Sequence, residues 1–145
     1  MCYVKPMKIT ICGSMHFASE MKQVQADLEA MGHEVLVPID TDVHVADPTL
    51  KDAGARETAH NEAFNVHHDH YEKIMASDAI LVLNYDKKGI VGYIGASTTM
   101  EIGVASAHHK QIYVWQTPDP QVLVADDLFE LSAIIIEQDL STIRQ

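Results

Sequence analysis

Ala79-Ile-Leu-Val-Leu-Asn84 is an unbroken apolar run that ends on an amide. A strand with one wet face alternates apolar and polar residues, so an unbroken run marks a strand covered on both faces. Such strands belong to parallel sheets sandwiched between helices. The segments on either side agree. Lys8-Ile-Thr-Ile-Cys12 is a short β-rich strand closed by Gly13-Ser14. Phe17, Met21, Val24, Leu28 and Met31 recur at spacings of three and four, which predicts a helix that Gly32 ends. Glu34–Val37 is a second strand, closed by Pro38. Strand, helix and strand form a βαβ unit. Beyond the central run, Thr99–His109 predicts a helix of small residues, Gln111–Trp115 a fourth strand and Ser132–Ile136 a fifth, with a short acidic helix between them. The sum is a doubly wound α/β sheet of about five parallel strands.

Two stretches read less simply. Residues 40 to about 60 have no period and hold Pro48 and Gly54. An irregular segment of roughly 20 residues is either a binding loop or a solvated insertion. Glu62–Ser77 returns to helical spacing through Phe64, Val66, Tyr71, Ile74 and Met75.

The composition sets bounds. The chain has 145 residues, 47% of them hydrophobic, which is enough for one globular domain spanning 1–145 and excludes a disordered chain. Ten basic against 21 acidic residues give a net charge of −11. That charge argues against nucleic acid and anionic membrane as partners. Lys87-Lys88 is the one adjacent basic pair. No run approaches the ~20 apolar residues of a membrane span, and the N-terminus lacks a secretory signal. The expected location is the cytoplasm. Cys2 and Cys12 read as reduced thiols, Cys12 within the core.

In a doubly wound sheet, ligands bind at the carboxyl ends of the strands near the switch in strand order. Four segments meet there: Gly13–His16, the region after Pro38, Asn84–Ser97 and Gln116–Pro118. No G-x-G-x-x-G follows the first strand and no G-x-x-x-x-G-K-[ST] occurs, so a dinucleotide site and a P-loop are not expected. Gly92-Tyr-Ile-Gly-Ala-Ser-Thr-Thr-Met-Glu-Ile-Gly103 runs from a glycine loop into a helix start, where free N–H groups suit an anion. Ser97, Thr98 and Thr99 add hydroxyls. Glu101 has two readings. Thr98-x-x-Glu101 fits a capping box, in which the glutamate closes on backbone. Alternatively its carboxylate stands at the mouth of a site as nucleophile or base.

Ile11-Cys-Gly-Ser14, the helix ending Leu28-Glu-Ala-Met-Gly-His-Glu-Val35 before Pro38, the segment Ser77–Asn84, Gly92–Gly103 with its Glu-Ile-Gly, and Lys110-Gln-Ile-Tyr113 together resemble the nucleoside 2-deoxyribosyltransferase superfamily. That superfamily includes the deoxynucleoside 5′-monophosphate N-glycosidases. The resemblance runs from Lys8 to Tyr113 and, more loosely, through Ile136–Ser141. It implies a flavodoxin-like sheet, no cofactor, a nucleoside or nucleotide as small-molecule substrate, and a homodimer or larger homo-oligomer. It also implies that Glu101 attacks the anomeric carbon of the sugar, with hydrolysis or transfer to follow. Gly13 and Ser14 then hold the sugar or phosphate, and Ser97–Thr99 a 5′-phosphate. The resemblance maps the acid that serves the base onto Asp69 and His70. Two departures stand out. The transferases' aspartate a few residues before the nucleophile is missing around Gly95, and Thr10 or Ile11 stands where many members have tyrosine, a place that Tyr93 is a candidate to fill. The missing aspartate favours hydrolysis over transfer. A fold that binds nucleotide without catalysis is the alternative.

Nine histidines are many for this length. His67 and His70 share a helix face, and with Asp69 they offer metal-ligand types, but no metal-site spacing such as H-E-x-x-H appears, so no metal is expected. His70 is a candidate acid for the leaving base. His16 follows the Gly-Ser turn and is placed to reach a ligand, as are Asn84, Tyr93 and Gly95.

Overall fold

The structure is a computed structural model that describes residues 5–52 and 65–144. Five strands form one sheet in the order β2-β1-β3-β4-β5, every pair parallel. They are β1 (Lys8–Cys12), β2 (Glu34–Leu36), β3 (Ala79–Val82), β4 (Gln111–Val114) and β5 (Ile134–Ile135). The helices are α1 (Ala18–Ala30), α2 (Thr41–Ala46), α3 (Val66–Met75), α4 (Ala96–Ala107) and α5 (Ala125–Glu130). The strand order is the flavodoxin-like one, with its switch point between β1 and β3.

The side-chain alternation of a strand, combined with cover on both faces, explains the unbroken apolar runs. Ile9, Ile11, Ala79, Leu81 and Tyr113 pack on one face with Met21, Val24 and Leu28 of α1. Cys12, Ile80, Val82, Ile112 and Val114 pack on the other with Ile74 of α3, Ile102 and Ala105 of α4 and Leu128 of α5. Each fully buried aliphatic side chain contributes ~1.5–3 kcal/mol through burial. The same alternation decides the site. It sends Cys12, at the carboxyl end of β1, to the α3–α4 face.

The observed elements depart from the sequence expectations at their ends. Asn84 leaves the sheet because its side chain bonds the Gly92 and Gln116 carbonyls at 3.3 and 2.8 Å. The helix expected from Thr99 starts at Ala96, with Gly95 as its extended N-cap. The stretch after Asp40 is not irregular throughout: it holds α2 and a 3-10 turn, Pro48–Asp52. The rest of that stretch, and the Glu62–Phe64 start of the next helix, lie outside the described residues, as does Cys2. Met75, which its helical spacing placed on the apolar stripe, is 40% exposed. No helix among the described residues is long and apolar enough to cross a membrane.

Candidate active site

A cleft of ≈ 410 Å³ opens at the switch point. Its walls come from the β1 turn, the Pro38–His44 segment, α3, the loop after β3 and the start of α4. Gly13 lets the β1 turn lie against β3, since a Cβ there would meet the Leu83 carbonyl oxygen at 2.9 Å. Of the residues expected at the site, Gly13, Ser14, His16, His70, Tyr93, Gly95, Ser97, Thr98 and Glu101 all line this cleft.

Glu101 stands on the buried stripe of α4, with Thr98, Ile102 and Ala105. This overturns the capping-box reading. The N-cap is Gly95, and Thr98 lies inside the first turn, so the glutamate has no cap to close on. Instead its Oε2 lies 3.4 Å from His70 Nε2. His70 faces inward from α3, one turn before Ile74. Cys12 Sγ lies 3.5 Å from the same nitrogen. The ligating atoms of these three buried residues all lie within 4.8 Å of one another.

Burial governs their ionisation, because a charged form loses water that little replaces. Glu101 is pushed up to about 8 by burial, against the Cys12 hydrogen bond, with the Asp40 charge adding to the rise. His70 is lowered to about 4 by burial and by Lys73, against the pull of Asp69, Asp40 and the Ile11 carbonyl. The Cys12 thiol is raised well above its ordinary value by burial and by Glu101. At neutral pH the trio therefore holds its protons on oxygen and sulfur, and the imidazole is neutral.

The mouth has a different character. Lys87 and Ile90 exchange backbone hydrogen bonds of 3.1 and 2.9 Å across a tight turn with Lys88 and Gly89 at positive φ. The turn brings Lys87 Nζ to 3.1 Å from Ser14 Oγ and 4.8 Å from the centre of the Tyr93 ring. Ser14 Oγ also lies 3.1 Å from His16 Nδ1. Gly95 makes no side-chain cap, and Ala96, Ser97 and Thr98 of the first turn of α4 line the cleft. On the β2 side, the buried Asp40 Oδ2 lies 3.2 Å from His44 Nε2, and both residues line the cleft.

Three expected site residues stand elsewhere. The Asp69 carboxylate pairs with Lys73 at 3.0 Å and does not line the cleft. Asn84 stitches the loops after β3 and β4, also accepting from the Gln116 backbone N–H at 3.2 Å. Thr99 donates to the Gly95 carbonyl at 2.8 Å, within its own helix. Conversely, Cys12, Asp40, His44 and Lys87 join the site without having been singled out. Alternation along β1 was the signal for Cys12. Asp40 and His44, one turn apart after the second strand, were the signal for that pair. Nothing local marks Lys87, whose position depends on the turn. His67, exposed, and His70, buried, both line the cleft, as their shared helix face implied, while His68 is exposed and does not line it.

The fold and the site together define a flavodoxin-like domain with a carboxylic acid at the floor of its switch-point cleft. The sequence profile described as Nucleoside 2-deoxyribosyltransferase matches residues 11–142, and the chain belongs to that family. Membership supports cleavage or transfer at the N-glycosidic bond of nucleosides or nucleotides as the general chemistry. Among solved structures, the chain is similar to the CMP N-glycosidase BcmB of Clostridium botulinum, at 15% identity and a TM-score of 0.53, covering 91% of this chain and 90% of that one. It is also similar to a 2-deoxyribosyltransferase of Bacillus psychrosaccharolyticus, at 19% identity and a TM-score of 0.49, covering 83% and 80%. No curated relative matches the chain.

Proposed function

We propose that the protein cleaves the N-glycosidic bond of a nucleoside 5′-monophosphate, with Glu101 as nucleophile. The observation that carries this is the placement of Glu101: a carboxyl on the core-facing stripe of α4 that opens on the cleft floor rather than on its own helix. The carboxylate forms a bond to C1′ as the C1′–N bond breaks, and the base departs with that electron pair. Asp40 and His44, hydrogen-bonded to each other, both line the cleft, and the pair supplies the proton the base takes up. Water then attacks C1′, its proton passes back to the Asp40–His44 pair, and the ester bond to Glu101 breaks to release the carboxylate. This is the two-step logic of retaining glycosidases. Asp69, on this account, acts through Lys73 and His70 and not on the base. His70 Nε2, 3.4 Å from Glu101 Oε2, positions the carboxyl, which attacks C1′ once its proton has gone to solvent.

Lys87 favours a nucleotide over a nucleoside. The Lys87 ammonium lies on the Ser14 hydroxyl, and both line the cleft with Ser97 and the first turn of α4, a combination that fits a phosphate. Family membership also favours a homo-oligomer; Leu123 and Phe129, 87% and 89% exposed, are the apolar contacts proposed for a second copy.

The test is chromatography of free base released from paired nucleosides and 5′-monophosphates by wild type and Glu101→Ala. Base release from monophosphates that Glu101→Ala abolishes supports the proposal. Stabilisation by nucleotide without any base release would favour a binding module instead.

A further inference from the structure

Cys12 has no step in the chemistry above, yet its buried sulfur lies against His70 and Glu101, which line the cleft. We propose that Cys12, His70 and Glu101 form a site for a thiophilic divalent cation, Zn²⁺ or Cd²⁺, and that this cation and the substrate exclude one another.

Thiolate, imidazole and carboxylate are the ligand types that Zn²⁺ takes. The spacing fits as well. Tetrahedral Zn²⁺ with Zn–S of about 2.3 Å and Zn–N and Zn–O of about 2.0–2.1 Å places sulfur about 3.5 Å from nitrogen, and nitrogen about 3.4 Å from oxygen. Cys12 Sγ and Glu101 Oε2 lie 3.5 and 3.4 Å from His70 Nε2. The third edge, sulfur to carboxylate, is within 4.8 Å, and a rotation of the Glu101 carboxyl closes it. The 3.4 Å contact exceeds the length of a charge-assisted hydrogen bond, about 2.7–2.9 Å, and Glu101 Oε2 is buried without a hydrogen-bond partner. That oxygen is better served by a cation than by the imidazole.

The ligands come from β1, α3 and α4, three elements packed around one core, so the site is held rigidly. On binding, the Cys12 thiol and the Glu101 carboxyl each release a proton to solvent. The two resulting anions balance the two charges of the cation, so no net charge is buried. The cleft side leaves the fourth position open to water. A cation held there occupies the Glu101 oxygen that would otherwise attack C1′. The exclusion therefore rests on the proposed role of Glu101; the binding does not.

The experiment is a Cd²⁺ titration of the full chain carrying Cys2→Ser, followed by thiolate-to-cadmium absorption in the ultraviolet. The expected result is one equivalent bound with a thiolate band. Cys12→Ser should abolish the band. Glu101→Gln, nearly the same shape, should weaken binding by at least ~100-fold, the upper end of what loss of a supporting group costs a metal site. His68→Ala, exposed on α3, should change nothing. No thiolate band, or an undiminished affinity in Glu101→Gln, overturns the site. Zn²⁺ should also stop base release and a chelator restore it. Turnover unaffected by bound cation overturns the exclusion, and a protein that binds Cd²⁺ but releases no base under any condition counts against the proposed function and leaves the site standing.

Discussion

Glu101 carries two costs of the same origin. Burial holds its carboxyl protonated up to about 8, against an ordinary 4.5. Between these values the unfolded chain has lost the proton and the folded one keeps it, so this residue makes stability fall as pH rises from about 4.5 to about 8. Glu101→Gln removes that term. Its unfolding free energy should exceed that of wild type at pH 8 by on the order of a few kcal/mol, read as a higher Tm, and the gap should close at pH 4. A nucleophile must be ionised, so base release should rise with pH through about 8 in a pH–rate profile. His70 works in the opposite direction: its value is depressed to about 4, so its contribution is present above its ordinary 6.5 and is lost as pH falls through that window. At the mouth, Lys87→Ala should lower kcat/KM for a 5′-monophosphate by about 10- to 100-fold, the worth of a hydrogen bond to a charged group, and leave the matching nucleoside unchanged. The Glu-Ile-Gly segment pointed to Glu101 only by resemblance, since its spacing equally fitted a capping box. What separates the two is the helix start at Gly95, and a helix boundary is set by tertiary contacts more than by local pattern. Lys87 was illegible for a related reason: charge counting treats it as surface, and only the turn that pairs it with Ile90 turns it to the cleft.

The strands were legible because burial on both faces writes an unbroken apolar run, and their order follows from the connections. The loops at their carboxyl ends were not, because their conformation rests on contacts between distant segments. Gly92 is the clearest case. It sits at φ +65, and a Cβ would meet the Pro118 Cα at 2.7 Å and the Asn84 amide nitrogen at 3.0 Å. Asn84 in turn bonds Gln116, so one knot joins the loops after β3 and β4. Its amide was expected to meet substrate; it meets backbone. Gly92→Ala should destabilise the fold by about 1–3 kcal/mol, read as a lower urea midpoint with unchanged slope. The distortion should also raise KM, because Tyr93 and Lys87 flank the same loop. Asp40 and His44 were hidden in a stretch without period, where a six-residue helix leaves too few turns to show a pattern.

Across the whole molecule, the net charge of −11 is distributed so that the cleft escapes most of it. Asp126, Asp127, Glu130, Glu137 and Asp139 are exposed on the C-terminal third, and none lines the cleft. Among the described residues, the acids that do line it, Asp40 and Glu101, are buried and share it with Lys87 and four histidines. An anionic substrate is therefore met by Lys87 and backbone N–H groups before it meets carboxylates. Phe129 and Leu123 belong to the same acidic end and stand nearly fully exposed. If they bury against a second copy, Phe129→Asp should shift the mass seen in light scattering toward the monomer. An unchanged mass would place any interface elsewhere. All of this turns on one bond, that between Glu101 and the sugar. The most direct measurement is mass spectrometry of the peptide carrying Glu101 after acid quench of the enzyme with a nucleoside 5′-monophosphate that it cleaves. The expected result is a pentose-phosphate adduct on that peptide, esterified at Glu101 and absent from Glu101→Gln. Release of base with no adduct at any quench time, and with full activity retained in Glu101→Gln, would contradict it.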